Sequence, residues 1–335
     1  MPIINQVVAG SGGGGSVNEP YLEYDVNASG RLIHSTTTNR IINLMGATSV
    51  GGGILAYAYQ NNTNITGTVD LSSLTAFDTG DACSYMFSHC TGITKIDLSG
   101  LGNINKDRCL NNACEYCTNL VSADLSSVYR LYGAYTLSYM FSHCSALTQV
   151  NIDALQQVYD NSALQCIFEY CTSLPCFYFK TLSILNGTTC LSSAFKGCTS
   201  LQSVWFYALA QNSFGSQTGV FSTMLKECSN VTVHFPMAIQ ATIGSWSDVT
   251  GGFGGTNTTV LYDIVTSLTG ADGNTYTRSE KDSTSTATAW KYNGTLYYTS
   301  GVSNNTAGVN EPSVADTIYS DDACTTSVTT ITAIA

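Results

Sequence analysis

The feature that most constrains this chain is a repeat of constant length through its middle, in which each unit is twenty-seven residues long. One cysteine column and two apolar columns keep this interval together, and Cys228 continues the cysteine column after a slightly longer step. The columns are Cys90, Cys117, Cys144, Cys171 and Cys198; Leu71, Leu98, Leu125, Ile152, Phe179 and Phe206; and Leu74, Leu101, Val128, Leu155, Leu182 and Leu209. A fixed period of this length is typical of a solenoid, whose units bury their apolar faces only against their neighbours.

Each unit divides into a turn before its cysteine and a strand after it. In the unit around Cys90, Phe87 lies three residues before the cysteine, and Ile96 and Leu98 then alternate with polar residues. Alternation of this kind is the period of a strand, so stacked units predict a parallel sheet. The segment SYMFSHC occurs at 84–90 and again at 138–144, two units later, which indicates that the duplication unit is a pair of coils.

The cysteine column predicts a ladder of buried free thiols. Equivalent residues on stacked coils lie roughly 4.8 Å apart, but their side chains point in parallel, which disfavours disulfides. Unpaired thiols of this kind indicate folding in a reducing cytoplasm. The pair Cys114-x-x-Cys117 has zinc-ligand spacing, but no second pair completes four ligands and both positions belong to core columns. We therefore expect no metal site.

Charge and composition argue against several classes of partner. The chain has 12 basic and 23 acidic residues, a net charge of −11, and only 10% charged residues in all. Nucleic acid and anionic membranes both need a basic footprint, so neither is an expected partner. Residues 1–20 lack the basic start and apolar core of a secretory signal, and no apolar stretch reaches the roughly 18 residues of a membrane span.

The motifs associated with catalysis and cofactors are weak. The run from Gly10 to Gly15 fits a dinucleotide fingerprint, but a strand-like segment follows it where a helix is required. No Gly-x-Ser-x-Gly elbow occurs, and no paired carboxylates stand in a cleft-like context. Asp272-Gly273-Asn274 lacks the other ligands of a calcium loop, which favours a turn. We expect neither an enzyme nor a bound cofactor.

The solenoid is predicted to lie between two smaller segments. Residues 1–50 form a Gly-rich attachment segment and β cap, with a hairpin around Ser29-Gly30, and Ile42 and Leu44 already fall on the repeat register. Residues 51–264 form the solenoid, closed by a helix after Pro236 and a last strand over 258–264. Residues 265–335 form a small β domain with a type I′ hairpin at Asn293-Gly294 and a final strand over 325–335. The predicted fold class is therefore a mainly β solenoid with an N-terminal β segment and a small C-terminal β domain.

The first candidate binding surface is an outward-facing column of the predicted sheet. This column changes along the solenoid from acidic to aromatic side chains, and Tyr and Trp offer flat apolar faces with hydrogen-bonding tips for sugars or protein partners. The alternative is that residues 236–264 cover the aromatic end, which is then core. The candidate residues are Asp97, Asp124, Asn151, Tyr178 and Trp205, with Tyr207 at the end of a parallel column.

A second candidate surface lies one residue before the cysteine column. It alternates histidine and tyrosine, and its two histidines lie two coils apart, roughly 10 Å. Such a strip would offer a partner or glycan a row of polar aromatic rings, whereas the alternative is edge packing of the duplicated unit. The residues are His89, Tyr116, His143 and Tyr170.

The pattern Phe-x-x-Cys-x-x-Leu-x-x-Ile-x-Leu, which fits residues 87–98 with Ile93 at the Leu position, resembles the BspA-like (Treponema-type) leucine-rich repeat. The resemblance covers about residues 55–236 and implies a leucine-rich-repeat solenoid that binds host or neighbouring cell surfaces. The unit in this chain is longer than the commoner unit of that family, and most coils lack the proline that often ends its strand. The flanks resemble virion-associated proteins of tailed phages that infect gut bacteria, which are made in the cytoplasm without a signal.

These resemblances imply a non-enzymatic phage virion fibre or receptor-binding protein. Residues 1–50 would attach it to other virion proteins, and the solenoid would bind a receptor protein or glycan on the host surface. The β domain would be exposed or would mediate homo-oligomer formation. The alternatives are a bacterial cell-surface adhesin and a purely structural capsid or tail component.

Overall fold

The computed structural model of this chain describes ten segments. These are residues 24–26, 32–34, 49–50, 55–210, 214, 219–279, 282–283, 287–300, 311–312 and 314–335, with the backbone alone for 24–26, 32–34 and 50. The predicted glycine run, Ile42 and Leu44 lie outside the described residues. The described segments form a solenoid of stacked coils followed by a small antiparallel β-barrel, so the predicted fold class is confirmed.

The strands before the barrel are short and mostly parallel. An antiparallel pair, β1 and β2, forms the predicted N-terminal hairpin. The strands are β1 (Tyr24–Val26), β2 (Leu32–His34), β3 (Ser49–Val50), β4 (Gly67–Asp70), β5 (Ala76–Phe77), β6 (Ile93–Asp97), β7 (Ser122–Asp124), β8 (Arg130–Leu131), β9 (Gln149–Asn151), β10 (Gln157–Val158), β11 (Cys176–Phe179), β12 (Ile184–Leu185), β13 (Ser203–Phe206), β14 (Thr232–Pro236) and β15 (Thr259–Ile264).

Each coil has two sides made of strands. The longer strands stack in the orders β4-β6-β7-β9 and β11-β13-β14-β15, and the two-residue strands stack in the orders β3-β5 and β8-β10-β12. Most pairs keep the register of the sequence repeat, as where Asp97 pairs with Asp124 and Arg130 pairs with Gln157. The repeat therefore places equivalent residues directly beside one another on consecutive coils.

The third side of each coil is a ribbon of tight turns, which is where the predicted turn before the cysteine lies. Its amides alternate between two kinds of partner: the Cys83 N–H donates to the Cys109 carbonyl of the next coil (2.8 Å), and the Ser84 N–H donates back to the Asp81 carbonyl (3.2 Å). Alternate backbone N–H groups of the ribbon thus donate within their own coil and to the next coil. This alternation satisfies the backbone without a helix or a regular strand.

Every fourth residue of the ribbon has a left-handed backbone conformation. In one coil these residues are Asp81, Tyr85 and His89, with φ of 56°, 56° and 63°. A left-handed conformation costs an ordinary L-residue roughly 1–2 kcal/mol. It persists here because hydrogen bonds to the neighbouring coil and buried side chains on either side hold the backbone in this conformation.

A single proline divides the long side of the solenoid into two sheets. Pro175 precedes β11 at the repeat position of Thr148, whose N–H donates to the Val121 carbonyl of the preceding coil (3.0 Å). Proline has no N–H, so it cannot form the equivalent bond, and the ladder is interrupted between β9 and β11. The acidic part of the outward column therefore lies on one sheet and its aromatic part on the other.

The cysteine column is a ladder of buried thiols, as predicted. All 13 cysteines are free, and 11 of them are buried. Most thiols of the column donate to the carbonyl of the residue 30 positions earlier, on the preceding coil, for example from Cys144 Sγ to the Cys114 carbonyl (3.1 Å) and from Cys171 Sγ to the Phe141 carbonyl (3.1 Å). A cysteine suits this position because it is small and apolar and also carries a weak donor.

We expect the native protein to leave most of its thiols unmodified by maleimide. Only Cys176 and Cys324 are partly exposed, and burial raises the pKa of a column thiol such as Cys90 to about 12, which suppresses the reactive thiolate. Intact-mass spectrometry after labelling at about pH 8 should show at most two added groups. The same treatment in denaturant should add 13, one for each cysteine. Rapid native labelling of four or more thiols would contradict the ladder.

The last coil ends the solenoid with short helices. After β14 the chain forms a 3-10 turn (Met237–Ile239), helix α1 (Gln240–Ile243), helix α2 (Ser247–Thr250) and a second 3-10 turn (Gly252–Gly254). The predicted helix after Pro236 is therefore a set of short helical segments, and the predicted last strand is β15. One apolar core runs from Leu55 to Phe253 through all the coils.

The C-terminal barrel has its own core around Trp290 and Tyr276. Asn293 and Gly294 join two of its strands with φ of 48° and 79°, which confirms the predicted type I′ hairpin. Its strands close in sequence order, and the last pairs with the first. They are β16 (Ser267–Gly270), β17 (Thr275–Arg278), β18 (Ala287–Tyr292), β19 (Thr295–Ser300), β20 (Thr317–Tyr319) and β21 (Ser327–Ile334).

Candidate functional site

The acidic part of the outward column closes the corner after each strand. Asp97 Oδ1 accepts a hydrogen bond from the Ser99 N–H (3.0 Å), and Asp124 Oδ1 accepts one from the Ser126 N–H (2.9 Å). In the same way, Asn151 Oδ1 accepts a hydrogen bond from the Asp153 N–H (3.1 Å). This local turn explains why Asp or Asn recurs at the position without any ligand.

The aromatic part of the outward column is largely covered. Trp205 is 8% exposed and Tyr207 is 1% exposed, and His234 of the last coil stacks on Trp205 with ring centroids 3.4 Å apart. Tyr207 packs with Ile264 and lies under the Arg278 guanidinium of the barrel, 5.1 Å from its ring centroid. Of the two alternatives for this end of the column, the one in which it is core therefore holds for Trp205 and Tyr207, because the last coil and the barrel cover them.

Tyr178 is half-buried beside this cluster. Its ring stacks on Trp205 at 6.4 Å, and its hydroxyl donates to Cys176 Sγ (3.0 Å). Burial raises the pKa of Tyr178 above its ordinary value, and the bond to Cys176 adds to the effect. Most of what the sequence proposed as the primary surface thus stabilises the solenoid.

The second candidate surface forms one continuous stack of rings, called the His/Tyr strip below. Ring centroids are 4.5 Å apart between His89 and Tyr116, 4.2 Å between Tyr116 and His143, and 4.7 Å between His143 and Tyr170. All four residues have the left-handed conformation of the ribbon, with φ between 56° and 63°. The identical backbone at each level aligns the rings face to face.

A glycine ends the His/Tyr strip. Gly197 occupies the next level of the column, and a Cβ there would lie 2.3 Å from a ring carbon of Tyr170. The Tyr170 ring instead lies across Gly197, and its hydroxyl donates to Glu227 Oε2 (2.8 Å). Lys196 Nζ lies 5.0 Å from the centroid of the same ring. The last ring is thus held by a carboxylate and an ammonium group.

The His/Tyr strip presents ring edges to solvent, because the ring faces cover one another. His89 is exposed, and Tyr116, His143 and Tyr170 are partly buried. The available groups are imidazole nitrogens and phenol hydroxyls at the spacing of the coils, and both types donate and accept hydrogen bonds. This arrangement suits a linear polar ligand bound along the solenoid edge rather than a sugar ring stacked on an open aromatic face.

The structure places charged residues beside the His/Tyr strip that the sequence analysis did not identify as candidates. Lys196 Nζ pairs with Glu169 Oε1 (2.8 Å), and burial raises the pKa of the nearby Glu115 above the ordinary range. The available signal was the recurring pair Glu-Tyr at 115–116 and 169–170. It marks these carboxylates as part of the same edge.

We expect His143 to make stability fall as the solution is acidified from about pH 7 to about pH 5. Partial burial lowers the pKa of His143, whereas an unfolded histidine has a pKa of about 6.5. The unfolded chain therefore binds this proton first, so the contribution to stability is present above about pH 6.5 and is lost below it. Urea unfolding of the wild type and of His143→Phe, which keeps a stacked ring, should show a flatter pH profile for the variant. Identical profiles would contradict this role.

The described segments hold neither a metal-binding cluster nor a membrane-spanning helix. Within them no group of three or more His, Cys, Asp or Glu side chains is arranged to hold a metal ion. No helix in the described part of the chain is long and apolar enough to cross a membrane.

Comparison with known proteins finds no relative: no family model, curated protein or solved structure matches this chain.

Proposed function

We propose that this chain is a non-enzymatic binding protein whose solenoid edge, along the His/Tyr strip, attaches to a host-cell surface. Its ligand is a surface polysaccharide or an extended protein segment. We place the protein on a phage virion as a fibre or tail component, made in the host cytoplasm. The proposal includes the BspA-like character of the repeat and attachment to other virion proteins through residues 1–50.

The observation that carries the proposal is the regular array of polar ring edges. Side chains are more variable at the next left-handed position of the ribbon, four residues before the His/Tyr strip: Tyr85 is followed one coil later by Asn112 and two coils later by Tyr139. Four aromatic levels with hydrogen-bonding tips at constant spacing offer repeated contacts to a repeating ligand. Repeated weak contacts along one chain raise the overall affinity through multivalency.

The test removes the polar tips of the His/Tyr strip and keeps its rings. The variant combines His89→Phe, Tyr116→Phe, His143→Phe and Tyr170→Phe, and its binding is measured as labelled protein on a polysaccharide array and on intact gut-bacterial cells. We expect the wild type to bind a subset of these surfaces and the variant to lose that binding. Near-ultraviolet circular dichroism checks that the solenoid still folds.

The matched control is Tyr57→Phe with Tyr85→Phe. These two residues are also left-handed residues of the ribbon, and their rings stack in the same way with centroids 4.9 Å apart. The control should bind like the wild type. A His/Tyr strip variant that binds like the wild type, or a wild-type chain that binds none of the surfaces, would overturn the proposal.

Two alternatives assign the chain elsewhere. It is either a bacterial cell-surface adhesin with the same repeats or a purely structural capsid or tail component. Immunogold labelling with an antibody to residues 265–335 separates them, since it would mark phage particles in the proposed case and bacterial cell walls in the adhesin case. For a structural component, the antibody would mark phage particles, but the purified protein would bind no cells.

A further inference from the structure

A second side of the solenoid carries an arginine and two stacked tyrosines that are distinct from the His/Tyr strip. Tyr132 and Tyr159 follow β8 and β10, and their rings stack in parallel with centroids 5.0 Å apart. Tyr132 is 41% exposed although Tyr159 covers one of its faces. Of the two rings, Tyr132 is therefore the more accessible from solvent.

Short amide side chains lie at both ends of this stack. By the repeat register, Asn105 occupies the position of Tyr132 on the preceding coil and Asn186 the position of Tyr159 on the following coil, and both are exposed. Neither amide is as large as a ring, so the stack is only two rings long. The outward residues Asn105, Tyr132, Tyr159 and Asn186, together with Arg130, are called the Tyr132 face.

Arg130 supplies a positive charge to the Tyr132 face. Its guanidinium lies over the Tyr129 ring at 4.7 Å, and its Nη1 is 3.4 Å from the Tyr132 hydroxyl. Among the described residues, no carboxylate lies within salt-bridge distance of Arg130, whereas Arg108 pairs with Asp81 and Arg278 pairs with Glu311.

The aromatic contact and the absence of a carboxylate both bear on what Arg130 recognises. Stacking on Tyr129 orients the planar fork of donors without neutralising its charge. In a chain of net charge −11, an arginine with no acidic partner in the described part of the chain is a localised attraction for an anion.

We propose that the Tyr132 face binds an acidic oligosaccharide, with a sugar carboxylate on Arg130 and a sugar ring against Tyr132. A sugar ring has apolar C–H faces that pack on an aromatic ring and hydroxyls that bond to amides such as Asn105 and Asn186. The carboxylate forms charge-assisted bonds with the guanidinium. This site is independent of the His/Tyr strip and stands if that strip binds nothing.

The test measures binding of the full chain to defined sugars by isothermal titration calorimetry and saturation-transfer NMR. The acidic probes are sialyllactose and a tetrasaccharide of alternating glucuronic acid and N-acetylglucosamine, and the neutral probe is lactose. We expect at least one acidic probe to bind and lactose to bind more weakly or not at all. Arg130→Gln and Tyr132→Ala should each weaken the acidic probe by about tenfold or more.

The matched control is Arg108→Gln, which removes an arginine that is already paired with Asp81 on the adjoining turn ribbon. It should change the affinity by no more than about twofold. The proposal is overturned if neither acidic probe binds at millimolar concentration, if lactose binds equally well, or if Arg130→Gln leaves the affinity unchanged. Tighter binding of a glutamate-rich peptide that is also lost in Arg130→Gln would overturn the assignment to a sugar.

Discussion

Replacing Phe168 with alanine is expected to lower the free energy of unfolding by about 4 kcal/mol. Phe168 is fully buried. Its ring stacks on Phe141 of the coil before it, with centroids 6.0 Å apart, and on Phe195 of the coil after it, with centroids 5.4 Å apart. Alanine removes both inter-coil contacts and leaves a cavity that the stacked coils cannot close. Guanidinium unfolding followed by circular dichroism measures the effect.

In a solenoid, the number of steps in the unfolding transition is informative as well as its midpoint. Each coil contacts only its neighbours, so weakening one interface can separate the unfolding of the two halves. The control is Val121→Ala, at a side chain 45% exposed, which should change stability by less than about 0.5 kcal/mol. A Phe168→Ala variant as stable as Val121→Ala would contradict the assigned core.

The substitution Gly187→Ala is expected to lower the free energy of unfolding by about 3 kcal/mol. A Cβ at Gly187 would lie 2.0 Å from the Asp160 carbonyl oxygen of the preceding coil, and the equivalent Cβ at Gly133 would lie 2.2 Å from the Lys106 oxygen. Because both obstacles are backbone atoms, the coils themselves must separate to admit a methyl group. Thermal unfolding of the purified variant measures the loss.

A second glycine provides the comparison for Gly187. At Gly102 the nearest atom to an added Cβ is the Thr75 oxygen at 4.0 Å, which is an ordinary contact. Gly102→Ala should therefore be neutral or stabilise by up to about 1 kcal/mol, because alanine restricts the unfolded chain. Equal destabilisation by the two substitutions would show that close approach of the coils is not the cause.

The sequence predicted the scaffold because its periodicity reports burial directly. Phe87, Phe141 and Phe168 recur at one position of the repeat and all three lie in the core. The alternation of SYMFSHC units also has a structural counterpart, since Gly133 and Gly187 are two repeat units apart and make the same close approach. Contacts between neighbouring coils could therefore be predicted from the repeat in a single sequence.

The turn ribbon was not predictable in detail. Left-handed residues are ordinarily inferred from glycine, whereas this ribbon places Tyr85, His89 and Tyr116 in that conformation. Their backbone is set by bonds to the next coil, and no local sequence signal reports those bonds. The sequence consequently located the His/Tyr strip but did not reveal that its rings cover one another's faces.

What the sequence by itself determined is the solenoid, its core columns, the thiol ladder and the hairpin at Asn293-Gly294. Each of these depends on residues that are close in the chain or related by the repeat. Only the tertiary structure decided which outward residues remain available. Trp205 and Tyr207 have outward positions in the repeat but are buried, because His234 and Arg278, outside the regular repeat, pack on them. Tyr132 stays exposed because Asn105, its neighbour on the preceding coil, is shorter than the ring and leaves that face uncovered.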